Sequence, residues 1–430
     1  MRRHPVAPSI SALLAFVATL GLFPSLLLAD DAPARGDFAA RTSDIGDLLS
    51  ADLSDAEARA LFDELRGLLL DRVGGDVVSD ADLYMGAIHG MLQAVNHRQG
   101  ASDGALEQAL PDDAMLLRED DADELRRDLQ GRMTGIGIDF RFFPDHGVLF
   151  VMDVLPGSPG DGAGIRSGDS IVAVDGFTFG GARVDQVLET LQGRDDQPLT
   201  LHVLRGDGLT ATQFKVSVTR AVFPVRSTRA ELAPDGVGWV HASQLHTGTA
   251  EEVADELARL RKLGADRYVL DLRGCQGGSI DATAAVADLF LARSAVVVRL
   301  VEPGIGEQDL VAQRDPLCGE PELVVLVNRW TQGACEALAL ALKEHDRAYV
   351  IGETTMGSAR AETLVPVGHG LVLRLDSVRL ESPLGHSWQG RGIEPDQTVE
   401  LKVVVRPADV PGGTDSQFQT AVHYLHAERE

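Results

Sequence analysis

Tyr268-Val-Leu-Asp-Leu-Arg-Gly-Cys-Gln-Gly-Gly278 is a short apolar run that stops in a cluster of glycines. The run has strand length, the glycines mark a turn, and an apolar helix follows from Ala282 to Leu291. The same grammar returns downstream. Glu322 to Val327 is an apolar strand that enters Asn328-Arg-Trp-Thr-Gln-Gly-Ala-Cys-Glu336 and then a helix through Leu342. Strands at Gly236–His241, Ala348–Gly352 and Leu371–Val378 flank these units, with a helix at Thr249–Leu263 that turns Val253, Leu257 and Leu260 inward. Strands alternating with helices predict an α/β layer. Strand-to-helix transitions in such layers aim backbone amides at an incoming anion, so the two glycine-rich turns are the candidate site.

Upstream the period changes to two. Ile136, Ile138, Phe140 and Phe142 alternate with other residues, and Val148–Leu155 is almost wholly apolar. A turn-rich stretch, Pro156 to Asp169, leads to the strand Ser170–Val174. A helix follows over Ala182–Leu191 with Val184, Val187, Leu188 and Leu191 on one face, and then strands through Leu199–Val203 and Phe214–Val218. Before this module, residues 36–132 carry helical periodicity and few strand signals. Ser54-Asp-Ala-Glu57 and Ser79-Asp-Ala-Asp82 open two helices, the first as a capping box, and Glu119–Arg127 reads as a solvated helix.

Composition bounds the rest. The 430 residues suffice for two or three domains, and 44% hydrophobic with 24% charged is an ordinary globular mix. The formal net charge of −26 excludes nucleic acid, which needs a basic face, and speaks against an anionic membrane surface. Three cysteines are too few for a disulfide scaffold, and no Cys/His cluster suggests a metal, so no cofactor is expected. Arg2 and Arg3 precede an apolar run from Ile10 to Leu28. Residues 1–29 read as an export signal that sends the chain to the periplasm or cell envelope, with an uncleaved single anchor as the alternative.

Two resemblances organise these readings. Gly135-Ile-Gly-Ile138 and Ala163-Gly-Ile-Arg-Ser-Gly-Asp169, with Asp175-Gly176, make residues 133–222 resemble a PDZ domain. That implies capture of a protein C-terminus as an added strand. In the peptide-binding loop Gly135, Ile136, Gly137 and Ile138, the amides near Ile136 to Ile138 would hold the terminal carboxylate, and Ile136, Ile138, Val184 and Leu188 would line an apolar slot. The alternative is that Ile138 and Leu188 are simply core. Asp271-Leu-Arg273 with Gly277-Gly278, Leu326-Val-Asn328 with Glu336, Gly352-Glu-Thr-Thr-Met-Gly357 and Gly390-Arg-Gly-Ile-Glu-Pro-Asp396 resemble the C-terminal processing peptidases, or tail-specific proteases. The resemblance implies a multidomain α/β protein. Its parts are the signal (1–29), a helical region (36–132), a PDZ domain (133–222), a peptidase-like core (223–405) and a C-terminal tail with a short helix (406–430).

The likeness breaks at the chemistry. The family uses a Ser nucleophile and a Lys base, a variant of the triad logic. Here the nucleophile's position is Gly333, the lysine's is Ser358, and the supporting Gln is Glu362; an Asp of the intervening helix maps to Glu344. Gly333 has nothing to attack with, and Ser358 is no substitute for a desolvated lysine. The oxyanion remnant, the amides of Gly277, Gly278 and Ala334, is retained. Cys335, in the first turn of a helix, is the one candidate for a relocated nucleophile, with His345 as a base only by analogy. Thr331 would cap that helix, and Asp271 and Arg273 would order their loop. Because the family brings the two turns together, Cys275 and Cys335 would face each other across the site and could form a disulfide or simply fill space, leaving Cys318 unpaired. The expected partners are protein C-termini or unfolded polypeptides. A homodimer through the helical region is compatible with the sequence.

Overall fold

The structure, a computed structural model, describes residues 55–73, 79–100, 114–191, 197–206, 211–233, 235–316, 322–400 and 415–427. The export signal, Ser54 and Cys318 lie outside the described residues. The chain divides into two compact units, one within residues 13–102 and one carrying residues 103–430. The first holds helices α1 (Asp55–Val73) and α2 (Asp80–Gly100). At the start of α2 the Asp82 carboxylate accepts from the Ser79 amide (2.9 Å) while the Ser79 hydroxyl accepts from the Asp82 amide (3.2 Å), the reciprocal pair of a capping box. Arg66 reaches Asp80 at 2.6 Å, and Phe62 and Tyr84 lie 6.1 Å apart.

The second unit opens with a departure from the helical reading of 36–132. Ala114–Arg118 is a strand, β1, paired antiparallel with the much later segment Leu371–Leu375. Helix α3 (Glu119–Leu129) is not fully solvated: Ala122 is buried with Leu117 and Val372. Strand β2 (Arg132–Gly135) then leads into the small module.

That module contains β3 (Ile138–Phe143), β4 (Val148–Val154), the single turn α4 (Pro159–Gly162), β5 (Ser170–Val174), β6 (Phe177–Thr178), α5 (Val184–Leu191), β7 (Pro198–Arg205) and β8 (Thr212–Thr219). Its sheet runs β3-β4-β5-β7-β8, with β6 beside β5, and the alternating residues Leu149, Val151, Ile171, Leu199, Leu201 and Val203 fill its core. The exit strand β9 (Ala221–Pro224) returns to pair with β2.

The remaining chain forms β10 (Thr228–Leu232), β11 (Val237–Ala242), α6 (Thr249–Lys262), β12 (Arg267–Asp271), α7 (Ile280–Ala287), the hairpin β13 (Val296–Glu302) and β14 (Gly306–Val311), β15 (Glu322–Val327), α8 (Ala334–Glu344), β16 (Tyr349–Gly352), β17 (Arg360–Gly368), β18 (Leu371–Glu381), β19 (Gln397–Thr398) and α9 (Ser416–Ala427). The central sheet runs β10-β11-β12-β15-β16-β19, all parallel except β10. Its middle strands are continuous apolar runs because both faces are covered. Tyr268, Leu270, Leu323 and Val325 meet α6, α7 and α8 on one side, while Val269, Val324 and Leu326 meet Phe418, Ala421, Val422 and Leu425 of α9 on the other. Helix α9 is therefore part of the core rather than of a tail. A second sheet, β1-β18-β13-β14 with β17 on β18, flanks the site.

Candidate functional site

The turn after β15 and the turn after β12 meet at the carboxyl ends of their parallel strands. Gln332 donates its amide to the Cys275 carbonyl at 3.1 Å, and a Cβ on Gly333 would sit 3.8 Å from the Cα of Gly277, with no other atom of the described residues within 4 Å beyond its own chain neighbours. Gly333 has φ 56° and ψ −119°, a conformation costly for any residue with a side chain. The strand-to-helix turn is thus sharply bent at Gly333, with room beside it for a small side chain.

Backbone bonds orient the amides around that space. The Gly277 carbonyl accepts from Leu245 (2.8 Å) and the Gly333 carbonyl accepts from Ala337 (3.1 Å). In a trans peptide the N–H opposes the C=O, so the amide of Gly278 faces away from Leu245 and that of Ala334 faces out of the start of α8. Gly278 is obligatory here, because a Cβ would lie 2.1 Å from the Leu245 carbonyl oxygen.

Glu336 holds the two halves of the site together. Its carboxylate, fully buried, accepts from the amides of Gly333 (2.9 Å), Gly357 (2.7 Å) and Ser358 (2.8 Å) and from the Thr355 hydroxyl. Burial raises its carboxyl above the ordinary glutamate value, against the pull of those four donors. Ser358 is therefore fixed beside Gly333 through one carboxylate, a role legible in the sequence only as a family motif residue. Glu362 does not face a base; it forms an ion pair with Arg374. Glu344 accepts from the Leu384 amide (2.9 Å), and the His345 ring donates to the Val296 carbonyl (2.7 Å) at the far end of α8. His345 is remote from the first turn of α8, so it cannot act on Cys335.

Cys275 and Cys335 are joined by a disulfide, with Cα atoms 6.1 Å apart and both side chains fully buried. The bond staples the turn after β12 to the first turn of α8. Thr331 is not the cap of α8, a correction to the sequence reading: Gly333 occupies that position. Thr331 is buried and instead closes its own loop, donating its hydroxyl to the Leu272 carbonyl (2.8 Å) and accepting from the Asn328 amide (3.0 Å). Asp271 and Arg273 do order their loop, and they do more. Arg273 binds Asp271 at 2.6 Å, Asp415 at 2.8 Å and Gln417 at 3.0 Å. Asp415 in turn accepts from the amides of Gln417 and Phe418 at the start of α9. Trp239 donates its indole N–H to Asp271 (3.0 Å) and stacks on His241, whose pKa burial lowers. The Asp415 partner has no local sequence signal.

In the small module, carbonyl bonds again set the amides. Gly160 donates to the Ile136 carbonyl (2.7 Å), and Leu155 donates to the Gly137 carbonyl (2.9 Å). The amides of Gly137 and Ile138 accordingly face away from the 155–160 turn, beside the edge strand β3. Ile136 is buried in the module's core, whereas Ile138 and Val184 are half-buried; the side chain of Leu188 lies outside what the structure describes.

Comparison with known proteins agrees with this layout. Residues 236–399 match the model of peptidase family S41, and residues 150–205 match that of a PDZ domain. The carboxyl-terminal-processing protease of Picosynechococcus sp. is 34% identical over 322 residues, 74% of this chain and 77% of that protein. The protease of the same name from Synechocystis sp. is 30% identical over 72% of each chain. Among solved structures, a photosystem II D1 C-terminal processing protease aligns with TM-score 0.42 and 25% identity, covering 73% of this chain and 81% of that one. The α/β core, the inserted PDZ domain and the paired glycine-rich turns thus place this chain in peptidase family S41, among proteins similar to the carboxyl-terminal-processing proteases.

Proposed function

We propose that this S41 member is catalytically inactive and that it captures protein C-termini or unfolded polypeptides through its PDZ domain, as an adaptor or regulator in the periplasm or cell envelope. The observation that carries the reading is Gly333 at the apex of the nucleophile turn. A site with oxyanion donors but no nucleophile polarises a carbonyl without forming an acyl intermediate, and its residual effect is far below a working peptidase. Ser358 offers no base, and the Cys335 sulfur is committed to Cys275, so the relocated-nucleophile alternative lacks a thiolate. The sequence of residues 1–29 supports export. A homodimer through α1 and α2 is compatible with the apolar side chains that this pair exposes, among them Leu65, Leu69 and Met91.

The binding half of the proposal is tested by peptide affinity. A peptide with a free terminal carboxylate and an apolar last residue is expected to bind at least tenfold more tightly than its amide, because the Gly137 and Ile138 amides have an anion to hold in one case only. Equal affinity would refute carboxylate capture.

A further inference from the structure

We infer that Trp330 is a polypeptide-contact residue at the rim of the emptied site, holding an apolar side chain of a captured chain next to Gly333; this rests on the peptide-binding reading above. Trp330 is 61% exposed, although it is three residues from Gly333 on a loop tied to its neighbours at several points. Asn328 Oδ1 accepts from the amides of both Gly274 (3.0 Å) and Trp330 (3.1 Å). The Thr331 amide donates to the Asn328 carbonyl (2.9 Å), and the Met356 amide donates to the Thr331 carbonyl (3.0 Å). Arg329 is paired with Glu353 at 3.3 Å. The backbone on both sides of the indole is therefore fixed to the β12 turn and to the loop that carries Ser358.

Single exposed apolar side chains are ordinary on protein surfaces. Trp330 differs because a preorganised loop presents it beside the site, so little ordering entropy is lost when a ligand covers it. Tryptophan in that setting is the side chain most often found as a binding anchor. The neighbouring groups specify the ligand. The Gly278 and Ala334 amides suit a backbone carbonyl, and the indole suits an apolar side chain. An extended polypeptide offers both, at a repeat of about 3.3 Å per residue.

The protein carries its own reporter. Of its three tryptophans, Trp239 and Trp388 are buried, at 1% and 3% exposure, so a change in water-exposed emission reads Trp330. The experiment compares a peptide of five residues with one of about twenty, which spans roughly 60 Å when extended. Both share a free apolar C-terminus, and the longer one carries an apolar residue at every second position. Affinities come from anisotropy of labelled peptide, and tryptophan emission from separate titrations with unlabelled peptide. The long peptide is expected to bind more tightly and to shift emission to the blue, the short one to bind without a shift. Trp330→Ala is expected to abolish the shift and weaken the long peptide about tenfold while leaving the short one unchanged. If both peptides bind and neither the shift nor the effect of Trp330→Ala is seen, the PDZ reading stands and the role of Trp330 is refuted. If neither peptide binds, both are refuted.

Discussion

Removing the Cys275–Cys335 bond tests how the two glycine-rich turns are held together. The bond closes a loop of 60 residues. In the chain-entropy treatment a cross-link over that length restricts the unfolded ensemble by about 14 cal/mol/K, which is about 4 kcal/mol at 25 °C. The loop contains α7, the β13–β14 hairpin and β15, so the cross-link constrains a large part of the core when it unfolds. Both sulfurs are fully buried, so reductant is expected to act only on unfolded protein. The appropriate variant is Cys275→Ala with Cys335→Ala, and the assay is equilibrium urea unfolding followed by the red shift in emission as the buried Trp239 and Trp388 become exposed. The double variant is expected to lose about 4 kcal/mol, and reductant added to the denatured wild type is expected to lower its midpoint to nearly the same value. A wild-type midpoint that reductant leaves unchanged, or non-reducing peptide mapping of exported protein that finds both thiols free, would refute this role of the bond.

Three further outcomes are expected. Fluorophosphonate probes should label no serine in the cleft, Ser358 included; stoichiometric labelling seen by mass spectrometry would contradict the empty nucleophile position. Arg273→Met should cost about 3–5 kcal/mol in the same urea assay, because Asp271 and Asp415 stay buried without their cation, and adding Asp415→Asn should recover part of that loss. The Arg273 guanidinium holds the Asp271 carboxyl below its ordinary value despite burial, so its contribution is complete above about pH 4 and declines as pH falls through the folded pKa. Glu336, whose carboxyl is raised, acts with the opposite sign and erodes stability as pH rises from its ordinary value toward the raised one. Unfolding free energy measured from pH 3 to 7 in wild type and Arg273→Met should differ most at the upper end; a constant difference would contradict this linkage.

The strand-turn-helix units of the core were legible because their apolar runs and glycines are local signals. The PDZ domain was legible for the same reason, with an apolar run over Val148–Leu155, alternating Leu199, Leu201 and Val203, and a distinctive turn at 163–169. What escaped reading depends on distant pairing. Ala114–Arg118 is short and flanked by acids, and it becomes a strand only because β18 offers an edge. The β13–β14 hairpin and β17 are set by the same second sheet. Helix α9 falls in a segment that the sequence marks only as a tail with a short helix, although Phe418, Ala421, Val422 and Leu425 have the spacing of a buried face; periodicity shows that a face exists without showing what covers it. At the site, the two glycine-rich turns and the placing of Gly333 at the head of α8 are local features of the sequence. The web of Glu336 to Thr355, Gly357 and Ser358, and the clamp of Arg273 on Asp415, are tertiary geometry that spacing does not encode.

A built turn without its chemistry is what we propose for this S41 member. It is tested by incubating purified protein with a reduced, carboxymethylated, unfolded polypeptide and reading new termini by mass spectrometry. The wild-type protein should produce none above a no-protein control. Gly333→Ser with Ser358→Lys, for which the site has space on the Gly333 side, provides the comparison with a dyad in place. Cleavage by the wild-type protein that disappears in Ser358→Ala or in Cys335→Ala would contradict the account.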